Sequence, residues 1–255
     1  MNRIDQLFQN KKNNILSIYF TAGHPQLDST STIVEHLSLS GVDMIEIGMP
    51  FSDPLADGPV IQASSKKALE NGMSLKMLFE QLSSIRQKTN IPLLLMGYIN
   101  PVFVYGVEAF CKKCAEVGID GLILPDLPMD EFLEKYKSVF DHYGLYNIFL
   151  ATPQTDEKRL KQIDSVSKGF IYLVSTFSTT GSGKGIEGSQ AYFEKVQSMN
   201  LKNPTIIGFG IKDKATFDFA CKYANGAIIG TAFVKAIDET KDLVGEIDSF
   251  KKKIQ

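Results

Sequence analysis

Eight short runs rich in β-branched and large apolar residues recur from end to end of the chain, at residues 15–20, 42–47, 91–96, 121–124, 146–150, 170–174, 205–207 and 227–229. Between them the apolar residues fall at helical spacing. Val107, Phe110, Cys111, Cys114 and Val117 step by three and four along one face, and Leu75, Leu78, Phe79, Leu82 and Ile85 do the same after Ser74, a candidate N-cap. Strand and helix therefore alternate, the pattern of a parallel sheet with crossover helices. A doubly wound sheet needs about five or six strands, so eight predict one closed (β/α)8 TIM barrel over residues 1–255, with extra helices. The gap between the second and third runs is about twice the others and leaves room for a helix after Pro59. A barrel of this kind takes about 250 residues, and the chain has 255.

Composition narrows the partners. An apolar content of 44% supports a core, while 27 Lys and Arg against 29 Asp and Glu leave a net charge of −2. That balance gives no drive toward nucleic acid or anionic lipid, and leaves a small neutral or anionic ligand. Three cysteines cannot build a disulfide framework and point to free thiols in a reducing, cytoplasmic setting. Residues 1–14 carry charges around Ile4, Leu7 and Phe8 and read as a short opening helix rather than a signal peptide. The strongest apolar runs fall far short of the ~20 residues that cross a bilayer.

In a barrel the chemistry belongs at the C-terminal ends of the strands. Near the end of the second run stands Glu46, which period-two alternation places on one face with Met44 and Val42. Apolar neighbours would raise the pKa of such a carboxyl toward working pH, as a general acid/base requires; a structural glutamate paired with Lys or Arg is the alternative. The following loop, residues 49–59, holds three prolines together with Asp53 and Asp57. Proline stiffness would hold these carboxylates in place before a ligand arrives, although either aspartate could instead cap the helix after Pro59.

Late in the chain glycines cluster at three strand ends: residues 181–185, Gly208-Phe209-Gly210 and Gly230-Thr231. Barrels often hold phosphate with the loops after strands seven and eight, and the last two clusters fit that use. The first is not a P-loop, because Ser178 stands where the pattern wants Gly and Gly185 where it wants Ser or Thr. Ser, Thr and Gly dominate residues 175–185, which read as a long lid. Cys111 and Cys114 form a lone C-x-x-C on an apolar helix face and read as core. His24, His36 and His142 are scattered, so no metal site is expected and proton chemistry rests on carboxylates. Lys251, Lys252 and Lys253 read as a solvated helix end.

Several segments together resemble the tryptophan synthase alpha chain family: residues 19–25 (Tyr19 through Pro25), 46–59 (Glu46 through Pro59), Tyr98-Ile99-Asn100-Pro101, Pro125-Asp126-Leu127-Pro128 and Gly208-Phe209-Gly210-Ile211. The resemblance spans essentially the whole chain. It implies a TIM-barrel lyase without a metal or cofactor of its own, which cleaves indole-3-glycerol phosphate to indole and glyceraldehyde 3-phosphate in tryptophan biosynthesis. By the same carry-over Glu46 and Asp57 are the acid/base carboxylates. Phe20, Ile61, Tyr98 and Tyr172 belong to the substrate site, with Phe20, Ile61 and Tyr172 walling the indole. Gly181, Phe209, Gly210, Gly230 and Thr231 hold the phosphate, and Thr180 is the lid residue that meets the aspartate loop. The family's lid pattern, Ser-Arg-x-Gly-Val-Thr-Gly, reads here Ser175-Thr176-Phe177-Ser178-Thr179-Thr180-Gly181, without its Arg and its first Gly. A pyridoxal-phosphate beta chain is the implied partner, in an alpha2-beta2 assembly contacted through residues 50–59, 100–104 and the lid. A barrel subunit that has lost activity and only activates a beta chain is the alternative reading.

Overall fold

The computed structural model describes residues 1–175 and 185–254. Among them nine parallel strands form one sheet: β1 (Ile15–Thr21), β2 (Met44–Gly48), β3 (Leu93–Met96), β4 (Gly121–Ile123), β5 (Tyr146–Asn147), β6 (Leu150–Ala151), β7 (Ile171–Val174), β8 (Thr205–Gly208) and β9 (Gly226–Ile229). The pairing order is β5-β4-β3-β2-β1-β9-β8-β7-β6. Its two outer members are one stretch of chain. Residues 148 and 149 carry the ladder across the gap, Ile148 N–H donating to Leu122 C=O at 2.9 Å and Tyr172 N–H to Phe149 C=O at 2.9 Å. The run predicted at 146–150 thus closes the ring as two short strands, and the sheet curls into an eight-staved α/β barrel.

Alternation along the strands sorts side chains into two layers. Ile15, Met44, Leu94, Ile123, Tyr172, Ile206 and Ile228 pack inside the barrel, whereas Leu16, Ile45, Leu95, Leu122, Leu173, Ile207 and Ala227 pack outward against helices. The opening helix, Arg3–Asn10, is capped by Asn2, whose side chain accepts from Ile4 N–H. Its Ile4 and Phe8 belong to the interior cluster, with Phe8 6.0 Å from Phe170. Below the strands Asp120 accepts from Arg86 at 2.6 Å, Arg3 at 3.0 Å and the Leu93 N–H at 2.9 Å, an ion-pair cluster that ties strand starts together.

The helix Val107–Val117 runs over the predicted residues, with Cys111 and Cys114 buried in the outer layer. Leu75–Leu82 begins at Ser74, whose hydroxyl accepts from Met77 N–H, but Ile85 lies in a separate 3-10 turn. A helix fills the long gap at Pro59–Glu70. Val42 departs from the expected face: it precedes β2 and packs in the outer layer, so the alternation joins only Met44 to Glu46. No helix among the described residues is long and apolar enough to cross a membrane.

Candidate active site

Glu46 sits in β2 with its side chain inside the barrel and no exposure to solvent. The Ser17 hydroxyl on β1 donates to its Oε1 at 3.1 Å, while Oε2 is buried with no hydrogen-bond partner among the described residues. Removal from water dominates its ionisation. Burial raises the pKa from 4.5 to about 8, against the lowering by the Ser17 bond. No cation offsets this, so the cation-paired alternative finds no support. At neutral pH the group is an acid with a proton to give.

Asp57 hangs in the loop at 49–58, half-buried, and burial raises its pKa from 3.8 to about 6 against a hydrogen bond from Tyr98. The loop is held by more than its prolines. Tyr98 Oη accepts from Ala56 N–H at 2.9 Å, and its ring lies 5.2 Å from that of Phe51. Gln62 Nε2 donates to Asp57 C=O at 2.8 Å. Asp126 accepts from Ile99 N–H at 3.0 Å, so the motif after β4 seats the helix Ile99–Tyr105 at whose start Tyr98 stands. The capping alternative for Asp57 fails, because Gly58 is the N-cap of the helix Pro59–Glu70 and no side chain caps it. Asp53 is exposed and bonds Ser52.

Phe20 is a correction. Its ring is fully buried in the outer layer, because odd-numbered Ser17 and Tyr19 of β1 face inward and Phe20 faces the helices. The aromatic beside Glu46 is its strand-pair neighbour Tyr19. Tyr172, on β7, does face inward, and burial followed by the Glu46 charge holds its phenol far above the ordinary range. Both Tyr19 and Tyr172 feel the charges of Glu46 and Asp57, which brings the two carboxyls to one mouth. Each tyrosine lies over a glycine: a Cβ on Gly48 would come within 2.2 Å of Tyr19 Oη, and one on Gly208 within 2.0 Å of Tyr172 Oη. Gly208, read as part of a phosphate loop, is thus the seat of an aromatic ring.

Ile61 is 8% exposed on the helix Pro59–Glu70, outside both core layers. Three residues further along, Ser64 Oγ lies 2.7 Å from Thr21 Oγ1, which pins this helix to the end of β1. Phe209 packs edge-on to Tyr172, with 6.1 Å between ring centroids. Its backbone stands at φ +69°, followed by Gly210 at φ +77°, a left-handed pair that a bulky residue adopts only under constraint. The Ser175 hydroxyl supplies that constraint by donating to Phe209 C=O at 2.6 Å. Gly230 and Thr231 open the helix Thr231–Ile237 beyond β9. Thr180 and Gly181, with most of the predicted lid, lie outside the described residues.

Neither Ser17 nor an inward Tyr19 is singled out by the sequence pattern, and Asp126 stands there only as part of the Pro125–Pro128 motif, without a role. A polar Ser17 in an otherwise apolar strand was the available signal for which face of β1 turns inward. His24 lies apart from this mouth, buried beside Asp238 with 3.4 Å between Nε2 and Oδ1, and burial lowers its pKa.

The family model described as "Tryptophan synthase alpha chain" matches residues 5–254. The tryptophan synthase alpha chain of Flavobacterium johnsoniae is 58% identical over 253 residues, covering 97% of this chain and 100% of the relative. That of Christiangramia forsetii is 59% identical over 256 residues, covering 100% and 99%. Among solved structures, tryptophan synthase subunit alpha from Legionella pneumophila superposes with a TM-score of 0.89 at 31% identity, covering 100% of this chain and 97% of that one. A chain of tryptophan synthase from M. tuberculosis in its aminoacrylate-bound form gives 0.87 at 28% identity, covering 100% and 98%. The barrel with two carboxyls at its mouth and the match over nearly every residue lead to one conclusion: the chain belongs to the tryptophan synthase alpha chain family.

Proposed function

We propose that Glu46 and Asp57 carry the lyase reaction of this family, the cleavage of indole-3-glycerol phosphate to indole and glyceraldehyde 3-phosphate. The observation that carries the reading is a pair of carboxyls at one barrel mouth, both raised by burial but unequally, Glu46 to about 8 and Asp57 to about 6. Near pH 7 one is a neutral acid and the other an anion. Glu46 gives its proton to indole C3, and the cation formed at the ring nitrogen is stabilised by the Asp57 carboxylate. The glutamate, now ionised, takes the proton of the chain hydroxyl next to the bond that breaks. The C3–carbon bond opens, its electron pair restores the indole ring, the hydroxyl carbon becomes an aldehyde, and Glu46 ends protonated as it began.

Tyr172 and Ile61 wall the indole, with Tyr19 in the place first given to Phe20. Tyr98 acts on Asp57 by holding its loop. The phosphate is held by Phe209, Gly210, Gly230 and Thr231, joined in this reading by Gly181, with Thr180 in the lid. The whole chain acts as one barrel domain in the cytoplasm. Pyridoxal phosphate belongs to the partner, a beta chain in an alpha2-beta2 assembly. Leu55, Phe103 and Val104 support that partnership, since these large apolar side chains stand exposed at 88%, 42% and 82% on the segments expected to meet it. Retention of both carboxyls speaks against a subunit that activates without cleaving.

The test is indole release from indole-3-glycerol phosphate by the chain alone and with a beta partner. Release in at least one case is expected. Release in neither overturns the assignment.

A further inference from the structure

The two-carboxyl chemistry leaves the hydroxyl of Tyr19 without a role. On β1 this residue pairs with Glu46 of β2, and it is half-buried. The ring spans two glycines. A Cβ on Gly230 would stand 3.3 Å from Tyr19 Cδ1, and one on Gly48 would stand 2.2 Å from its Oη. Tyr19 therefore reaches from the end of β9, across β1, to the end of β2, with its hydroxyl at the Glu46 side. Burial and then the charge of Asp57 keep the phenol protonated against a hydrogen bond with the Thr21 side chain, so its oxygen has a partner while its own proton is left to donate.

This inference rests on the function proposed above. With the indole beside the Tyr19 ring, phosphate held at Gly230 and Thr231 and the reacting carbon at Glu46, the three-carbon chain between them passes along the edge of Tyr19 that runs from Gly230 to Gly48. A phenylalanine would pack against that chain equally well. Thr21 pairs with the phenol oxygen, but the phenol proton at the reacting end is unfavourable to desolvate unless a bound group accepts it. We propose that Tyr19 is a further substrate-binding and specificity-determining residue, whose hydroxyl hydrogen-bonds a hydroxyl of the polyol phosphate chain, seated there by the absence of a side chain at Gly48.

The experiment compares two probes bound to the full chain, followed by NMR titration: glycerol 3-phosphate, which carries chain hydroxyls, and propyl phosphate, which lacks them. Tyr19→Phe is expected to weaken glycerol 3-phosphate by about three- to tenfold, the value of one hydrogen bond, and to leave propyl phosphate within about twofold. Gly48→Ala, which displaces the hydroxyl while keeping the tyrosine, is expected to give the same selective loss and serves as the second variant. Equal weakening of both probes would assign Tyr19 to packing and overturn the proposal. No weakening of either would also overturn it while leaving the phosphate site intact. Failure of both probes to bind the unaltered chain would overturn the phosphate site and this inference together.

Discussion

Ser17 Oγ donates to Oε1 of Glu46 at 3.1 Å from the neighbouring strand, and Oε2 of the same carboxyl is buried with no partner among the described residues. One oxygen is fixed and the other is left free to exchange a proton. A hydroxyl donor favours the ionised form, yet the pKa stands at about 8 because loss of hydration outweighs it. The arrangement orients an acid without neutralising it through an ion pair, which is what a proton donor to carbon requires.

Glu46→Gln keeps the shape and the Ser17 contact but cannot exchange the proton. Turnover is expected to fall by at least ~10², with the fold retained. Steady-state indole release and circular dichroism check this; near-normal turnover would clear Glu46 of the role.

The same carboxyl links stability to pH. Its folded pKa, about 8, lies above the ordinary 4.5. The folded protein therefore keeps a proton that the unfolded chain releases. The resulting stability is complete below pH ~4.5 and is lost as pH rises toward and through ~8. Urea unfolding at pH 6 and pH 9 should show Glu46→Gln gaining on the unaltered chain at the higher pH, by on the order of a few kcal/mol. A constant difference between the two proteins would contradict a neutral buried glutamate.

Tyr98→Phe removes both the acceptor of Ala56 N–H and the donor to Asp57. The Tyr98 bond lowers the Asp57 pKa, so its loss should move the acidic limb of the kcat profile up from about 6. A several-fold loss of kcat near neutral pH should accompany the shift. An unmoved limb would show that the loop holds Asp57 without Tyr98.

Asp120 is a control at the opposite end of the barrel. Its carboxylate takes Arg86 at 2.6 Å and Arg3 at 3.0 Å while 3% exposed. Asp120→Ala leaves two cations and the Leu93 N–H without their acceptor, and should destabilise by about 3 kcal/mol or more. The KM of protein that remains folded should be unchanged. Thermal unfolding and kinetics on the same sample separate the two effects.

The alternation of strands and helices made the barrel legible, because eight short apolar runs separated by stretches of helical spacing leave few ways to bury both faces. Glu46 was legible for a related reason: an ionisable group inside a buried strand is conspicuous. Phe20 was misread because both faces of β1 carry large apolar residues, Ile15 and Tyr19 on one and Leu16, Ile18 and Phe20 on the other, so that Ser17 alone marks the inward face and a shift by one residue exchanges inside for outside. The Tyr98–Asp57 link was not legible, since the two residues lie on different loops and meet only when the barrel closes. Gly208 looked like an anion loop from its neighbours, whereas the Tyr172 ring lying against it is a tertiary contact with no local signature.

The most direct test of the central claim is a carbon-13 titration of the Glu46 side-chain carboxyl, assigned by its loss in Glu46→Gln. A midpoint near pH 8, with Asp57 titrating separately near 6, is the predicted result. A Glu46 midpoint near the ordinary 4.5 would mean an ionised group at rest and would contradict the account.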